Sequence, residues 1–228
     1  MPLRPFHPQY RAATLLLKED PLSERPDLAV GVARCLAAWA RVELALSGLF
    51  VNLVNENREI GASLWNSFNS DKSKIDALNS LCAARTKGDD YLFVIGMLKM
   101  VRAFGKTRHK LAHWIWMYSD QIKDGLPIVD PKTLLLTQGK LQDALQRKQK
   151  VTPRHWSLPN DEVYVCTISD VEIDIRDFGR TERVVDMVGI LVSNQGKEEL
   201  EYTRHGLVIN AHLAPFLSPS PSPDPRTD

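Results

Sequence analysis

Apolar residues recur at three- and four-residue spacing through most of the first half of the chain. Between residues 27 and 57, Leu36, Trp39, Val42, Leu46, Leu49, Phe50 and Leu53 mark one face of a long helix, with Asp27 as its cap. Ile60, Leu64, Trp65 and Phe68 predict a shorter helix over about 59–68, and Ile75, Leu78, Leu81 and Cys82 a third over about 71–86. The "KGDD" that follows supplies a glycine stop and an aspartate start. A fourth helix is then expected from about 89 to 118. Four amphipathic helices with short connections predict a mainly α protein with a four-helix bundle over 27–118.

The pattern changes on either side of this block. Residues 1–26 hold five prolines and read as an arm with at most one short helix around Tyr10 to Lys18. In the second half, "LPIVDPKTLLLT" reads as a short hairpin turning at Asp130-Pro131, and "EVYVCT" as a further strand. "SDVE" places Ser169 and Glu172 as a capping box opening a helix that runs to about Ser193. Residues 119–217 are therefore expected to form a smaller mixed α/β extension packed on the bundle. The tail, residues 218–228, is Pro/Ser low complexity and is expected to be disordered.

Placing the helices on a wheel at about 100° per residue exposes two charges in unexpected positions. On the fourth helix Phe93, Met97, Met100, Val101, Phe104, Leu111, Ala112 and Ile115 share an arc of roughly 120°, and Arg108 lies inside it. On the first helix Glu43 falls within the apolar stripe, between Phe50 and Leu36. A lone buried charge costs several kcal/mol, so the pattern predicts that Glu43 meets Arg108 in or beside the core. That pair can be a bridge that fixes helix register, or the arginine can snorkel from the edge of the stripe. It can also be part of a site, because His109 and His113 stand at i and i+4 beside the same arc. Arg108 and His113 are about 140° apart on an ideal helix. The arginine must therefore swing toward the histidine, or a second subunit must complete the site.

At "RHKLAH" the chain resembles the R-x4-6-H signature of the HEPN superfamily, in which a polar residue follows the arginine; His109 holds that position here. The motif's place late in the last long helix fits the resemblance, as does "WARVELALSGLF", whose Glu43 matches an acidic residue often seen on the first helix. The likeness covers about residues 27–118. It implies an HEPN-like four-helix bundle and a metal-independent endoribonuclease without cofactor, a homodimer whose two motifs line one cleft. It also implies a toxin or phage-defence role, with an antitoxin or other regulatory protein as partner.

The residue types suit that chemistry. Attack by an RNA 2′-hydroxyl needs one proton removed and one delivered to the leaving oxygen, and histidine does both near neutral pH. Charge on the phosphorane oxygens needs a fixed cation, and the arginine fork matches phosphate. His113 takes the acid/base role and Arg108 the phosphate clamp. Glu43 would hold the guanidinium, and His109 would be a second proton carrier or base contact. Lys99, Arg102, Lys106 and Lys110 form a basic stripe able to follow an RNA backbone, and Trp114, Trp116 and Tyr118 are placed to stack bases or to close the end of the bundle.

Composition adds little to this and excludes several rivals. The 29 basic and 28 acidic residues nearly cancel. Cys35, Cys82 and Cys166 are too few and too widely spaced for a disulfide framework or a zinc cluster, and read as reduced core thiols. No apolar run approaches the ~20 residues of a membrane span. "MPLRPFHPQY" lacks the apolar stretch of a secretory signal, so a cytoplasmic protein with no membrane partner is expected. "HKLAH" has the spacing of helical zinc ligands, but Lys110 stands where a zinc hydrolase needs glutamate, and His155, His205 and His212 offer no obvious third ligand. Two non-enzymatic readings stay open. One is an HEPN-like RNA- or nucleotide-binding or regulatory dimerisation module; the other is a structural adaptor in which Glu43 and Arg108 lock register.

Overall fold

The computed structural model describes residues 4–5, 13–54, 57–148, 163–193 and 197–217. The protein is mainly helical, with a small antiparallel sheet. The helices of the first half are α1 (Pro26–Val54), α2 (Arg58–Ser67), α3 (Asp71–Arg85) and α4 (Asp89–His113). Their caps are the ones local chemistry favours: Asn57 accepts the Glu59 amide at 2.8 Å and Ser70 accepts that of Ser73 at 3.1 Å. Gly88 adopts a φ of 61° between α3 and α4, a conformation that costs glycine little.

Two compact units emerge. One joins residues up to Ala38 with Gly105–Arg176, and the other joins Trp39–Phe104 with the chain from Asp177 onward. The first contains strands β1 (Arg4–Pro5), β2 (Ile115–Trp116), β3 (Gly125–Val129) and β4 (Val163–Thr167), in the order β1-β4-β3-β2, and the helix α5 (Pro131–Gln146). Ile115 pairs with Val129, and Leu126 with Cys166. Met117, Ile122, Val129, Val163 and Val165 form a buried cluster beneath this sheet. Gly125 is required there, because a Cβ at that position would stand 2.5 Å from the Cys166 carbonyl oxygen.

The second unit includes α2, α3, α7 (Lys197–Val208) and α8 (Ala214–Leu217). At its centre Phe178 is fully buried, its ring 5.0 Å from that of Trp39 and 6.2 Å from that of Phe104. Phe50, Trp65 and Phe68 make a second aromatic cluster, with Phe50 and Trp65 5.3 Å apart. Helix α6 (Ile168–Val192) begins in the first unit and continues into the second from Asp177.

Several expectations are corrected. The region from Ala13 to Lys18 is not helical; Leu16 pairs with Tyr118 through two backbone hydrogen bonds of 2.8 and 2.9 Å. Helix α4 accordingly ends at His113, not near 118, because "WIWMY" is rich in residues that fit a pleated surface and Ile115 and Trp116 join the sheet. No hairpin turns at Asp130-Pro131. Asp130 caps α5 by accepting the Lys132 amide at 2.8 Å, and Pro131 fills the first helical position. The capping box of α6 lies two residues earlier than "SDVE": Thr167 and Asp170 exchange hydrogen bonds, with the Thr167 hydroxyl donating to Asp170 at 2.7 Å and accepting from its amide at 3.2 Å. By length and composition alone α1 is long and apolar enough to cross a membrane, with a mean hydropathy of 1.3 over 18 residues, although Arg34, Arg41 and Glu43 interrupt it. Its Leu28, Val32 and Cys35 are nevertheless buried in the first unit, and Val42, Leu46 and Leu49 in the second. The Pro/Ser tail at 218–228 lies outside the described residues, as do residues 1–3 and 6–12 of the N-terminal arm.

The assignment of Asp130 as a cap carries a direct test. Asp130→Ala should destabilise the protein by about 1 kcal/mol, whereas a turn aspartate exposed to water would tolerate the change. The shift in urea midpoint measures it.

Candidate functional site

The last turns of α4 are oriented by two small anchors. Thr107 and Leu111 are buried, which turns His109, Ala112 and His113 outward and leaves Arg108 half-buried. Ala112 therefore leaves the apolar arc that the wheel gave it. The i, i+4 relation brings the His109 and His113 rings to 4.8 Å, tilted by 50°. The helix closes immediately afterward, where the Trp114 amide donates to the Lys110 carbonyl at 3.0 Å.

Beside them Lys110 extends over aromatic faces. Its ammonium lies 3.7 Å from the Tyr164 ring centre and 4.8 Å from that of Trp114, and those two rings are 5.4 Å apart. This cation–π contact holds the lysine against β4. Tyr118 is occupied in a similar way, with the Lys18 ammonium 3.7 Å over its ring. Lys106 is exposed on the same stretch of α4.

The remaining members of the basic stripe belong to the second unit. Arg102 donates to Asp76 at 2.7 Å, and Lys99 is half-buried. Glu43 is also in that unit, half-buried on α1, where it accepts a hydrogen bond of 2.7 Å from the Trp39 indole one turn earlier. The structure thus draws His109 and His113 together, sets Lys110 against Trp114, and assigns Arg102 and Glu43 local partners.

Tyr164 is the neighbour that sequence reasoning did not find. The alternation in "EVYVCT" predicts that it faces away from Val163 and Val165, as its partial exposure agrees. Nothing in that spacing says that it meets Lys110, because the contact depends on pairing of β3 with β4 and on where α4 stops.

Two adjacent, solvent-facing imidazoles can take a proton from one oxygen and return one to another. The cysteines cannot serve as nucleophiles as they stand. Burial pushes the thiols of Cys35 and Cys82 up to about 12 and raises that of Cys166 as well, so the thiolate is scarce. Among the described residues, no three His, Cys, Asp or Glu side chains gather in a metal-binding group. Comparisons with protein-family models, curated proteins and solved structures find no match to this chain.

Proposed function

We propose that the protein is a metal-independent endoribonuclease of HEPN type, built on α1–α4 and acting through Arg108, His109 and His113. The observation that carries the reading is the pair of exposed imidazoles 4.8 Å apart, directly following a half-buried arginine at R-x4-H spacing. The element pattern is consistent with it: four helices in succession, each joined to the next by three residues. Lys106 and Lys110 add positive charge beside the histidines, which favours approach of a phosphodiester.

In this reading one imidazole removes the proton from a ribose 2′-oxygen as that oxygen bonds to phosphorus. The bond from phosphorus to the 5′-oxygen breaks, and a second imidazole delivers a proton to it. The products are a 2′,3′-cyclic phosphate and a 5′-hydroxyl. Arg108 takes up the charge on the non-bridging oxygens, for which its planar fork is suited. The two histidines that act on one phosphate come from one motif or from the motifs of two copies in a homodimer.

The test is incubation of the protein with single-stranded RNA in EDTA, with the end groups of the products identified. Cleavage that leaves 2′,3′-cyclic phosphates, and that is lost in Arg108→Ala, supports the proposal. Salt-sensitive RNA binding with no cleavage would identify a binding module instead, and neither activity would leave a structural adaptor.

A further inference from the structure

A recess of about 380 Å³ opens in the second unit, lined by Arg180, Arg183, Asn210, Ala211 and His212. Its volume falls in the range of small-molecule sites. Every polar side chain in that lining is a cation, an amide or an imidazole; no carboxylate is among them.

Local structure explains why these groups converge. Arg180 and Arg183 are three residues apart on α6, so their side chains leave the same face of the helix. Asn210, Ala211 and His212 form the turn between α7 and α8. Within that turn the Asn210 side-chain oxygen accepts the amides of His212 and Leu213, at 3.0 and 3.3 Å. Its acceptor is thereby committed to the backbone, which leaves the NH₂ as a pure donor. His212 is fixed from behind by stacking on Phe104, the rings 5.1 Å apart and 10° from parallel.

The charge balance favours an anion. Asp177, mostly buried, lies 3.4 Å from Arg180 and 3.9 Å from His212 and offsets one of the two guanidinium charges. Arg183 is exposed and has no ion-pair partner among the described residues. Burial, reinforced by Arg180, holds His212 below the usual histidine range, so the imidazole brings no fixed charge near neutral pH. Two forked cations with an amide donor opposite them match the tetrahedral oxygens of a phosphate.

We propose that this recess binds a phosphoryl dianion, either as free phosphate or as the phosphate group of a small monoester. Arg180 and Arg183 grip its oxygens and the Asn210 amide orients them. The proposal does not depend on the nuclease reading, since it uses none of the residues at the end of α4.

The experiment is isothermal titration of the full chain at low ionic strength with two probes, inorganic phosphate and adenosine 5′-monophosphate. Saturable binding of either at one site per chain is expected. Tighter binding of the nucleotide assigns the site to a monoester, and tighter or equal binding of inorganic phosphate assigns it to the free anion. Arg183→Gln should weaken binding by roughly tenfold or more, the loss of a charge-assisted contact, and Arg180→Gln combined with it should abolish binding. Because Arg183 is exposed, its replacement should leave the urea midpoint unchanged, which separates lost binding from lost folding. Ligand-dependent shifts of the Asn210 side-chain amide in NMR spectra give a second readout in the unaltered protein. No saturable binding of either probe, or equal binding by the double variant, would overturn the proposal.

Discussion

His113→Ala is expected to slow RNA cleavage by about 10²–10⁴-fold, the range associated with removing a general acid or base, while changing stability by no more than about 0.5 kcal/mol. The two halves of that expectation rest on the same observation. His113 is exposed, so truncating it opens no cavity and strands no buried group; the contact it gives up is with His109, 4.8 Å away. Single-turnover cleavage in EDTA and a urea melt on the same sample read both quantities. His109→Ala provides the companion measurement. If the two imidazoles act as a unit, the double variant will be little slower than the worse single one. Independent losses would instead multiply. Arg108 gives a less isolated signal, because its half-buried stem contributes packing as well as charge. Arg108→Lys is the sharper probe there, since it keeps the charge and removes the fork. An unchanged cleavage rate in His113→Ala would remove that residue from the chemistry.

The first-half helices were legible because their signals are local. Residues 27–57, 59–68 and 71–86 read as helices from apolar spacing and are found at Pro26–Val54, Arg58–Ser67 and Asp71–Arg85. Period, cap and stop residues lie within a few positions of one another there, so no distant partner is needed. The end of α4 fails for the opposite reason. Ile115 and Trp116 leave the helix to pair with Val129 and Ile128, while Tyr118 pairs with Leu16, and none of those partners is adjacent in sequence. At Asp130-Pro131 the dipeptide itself is ambiguous, since an aspartate before proline serves a turn or a helix start equally well. The deciding signal was the sixteen-residue length of the segment from Pro131 to Gln146, too long for a hairpin strand. At the candidate site, the proximity of His109 and His113 follows from i, i+4 geometry alone. The contact of Lys110 with Tyr164 does not, because it crosses from a helix end to a strand that comes much later. The recess at Arg180 was equally unreadable: three of its five lining residues come from a turn between two helices that periodicity did not reveal.

Phe178→Ala is expected to destabilise the protein by about 3–5 kcal/mol, among the largest effects of a single core truncation. The ring is 0 % exposed and has Trp39 and Phe104 as edge-to-face neighbours at 5.0 and 6.2 Å. Its removal forfeits burial and two oriented aromatic contacts, and leaves a void that stiff neighbours cannot fill. Trp39 cannot easily move into the space, because its indole N–H is bound to Glu43 at 2.7 Å. Phe104 is held on its other side by the stacked His212. A domain of ordinary stability, about 5–15 kcal/mol, would lose a large fraction of it through this one change. Phe178→Leu retains most of the volume and should cost markedly less. Tyr202→Ala is the control for aromatic loss without burial, since Tyr202 is 81 % exposed and should stay within about 0.5 kcal/mol. Urea denaturation of the three variants, with unchanged m values, measures the order directly. If Phe178→Ala unfolds at the midpoint of Tyr202→Ala, the second unit is not built around this ring, and the rigid backing it gives Trp39 and Phe104 is lost as an argument too.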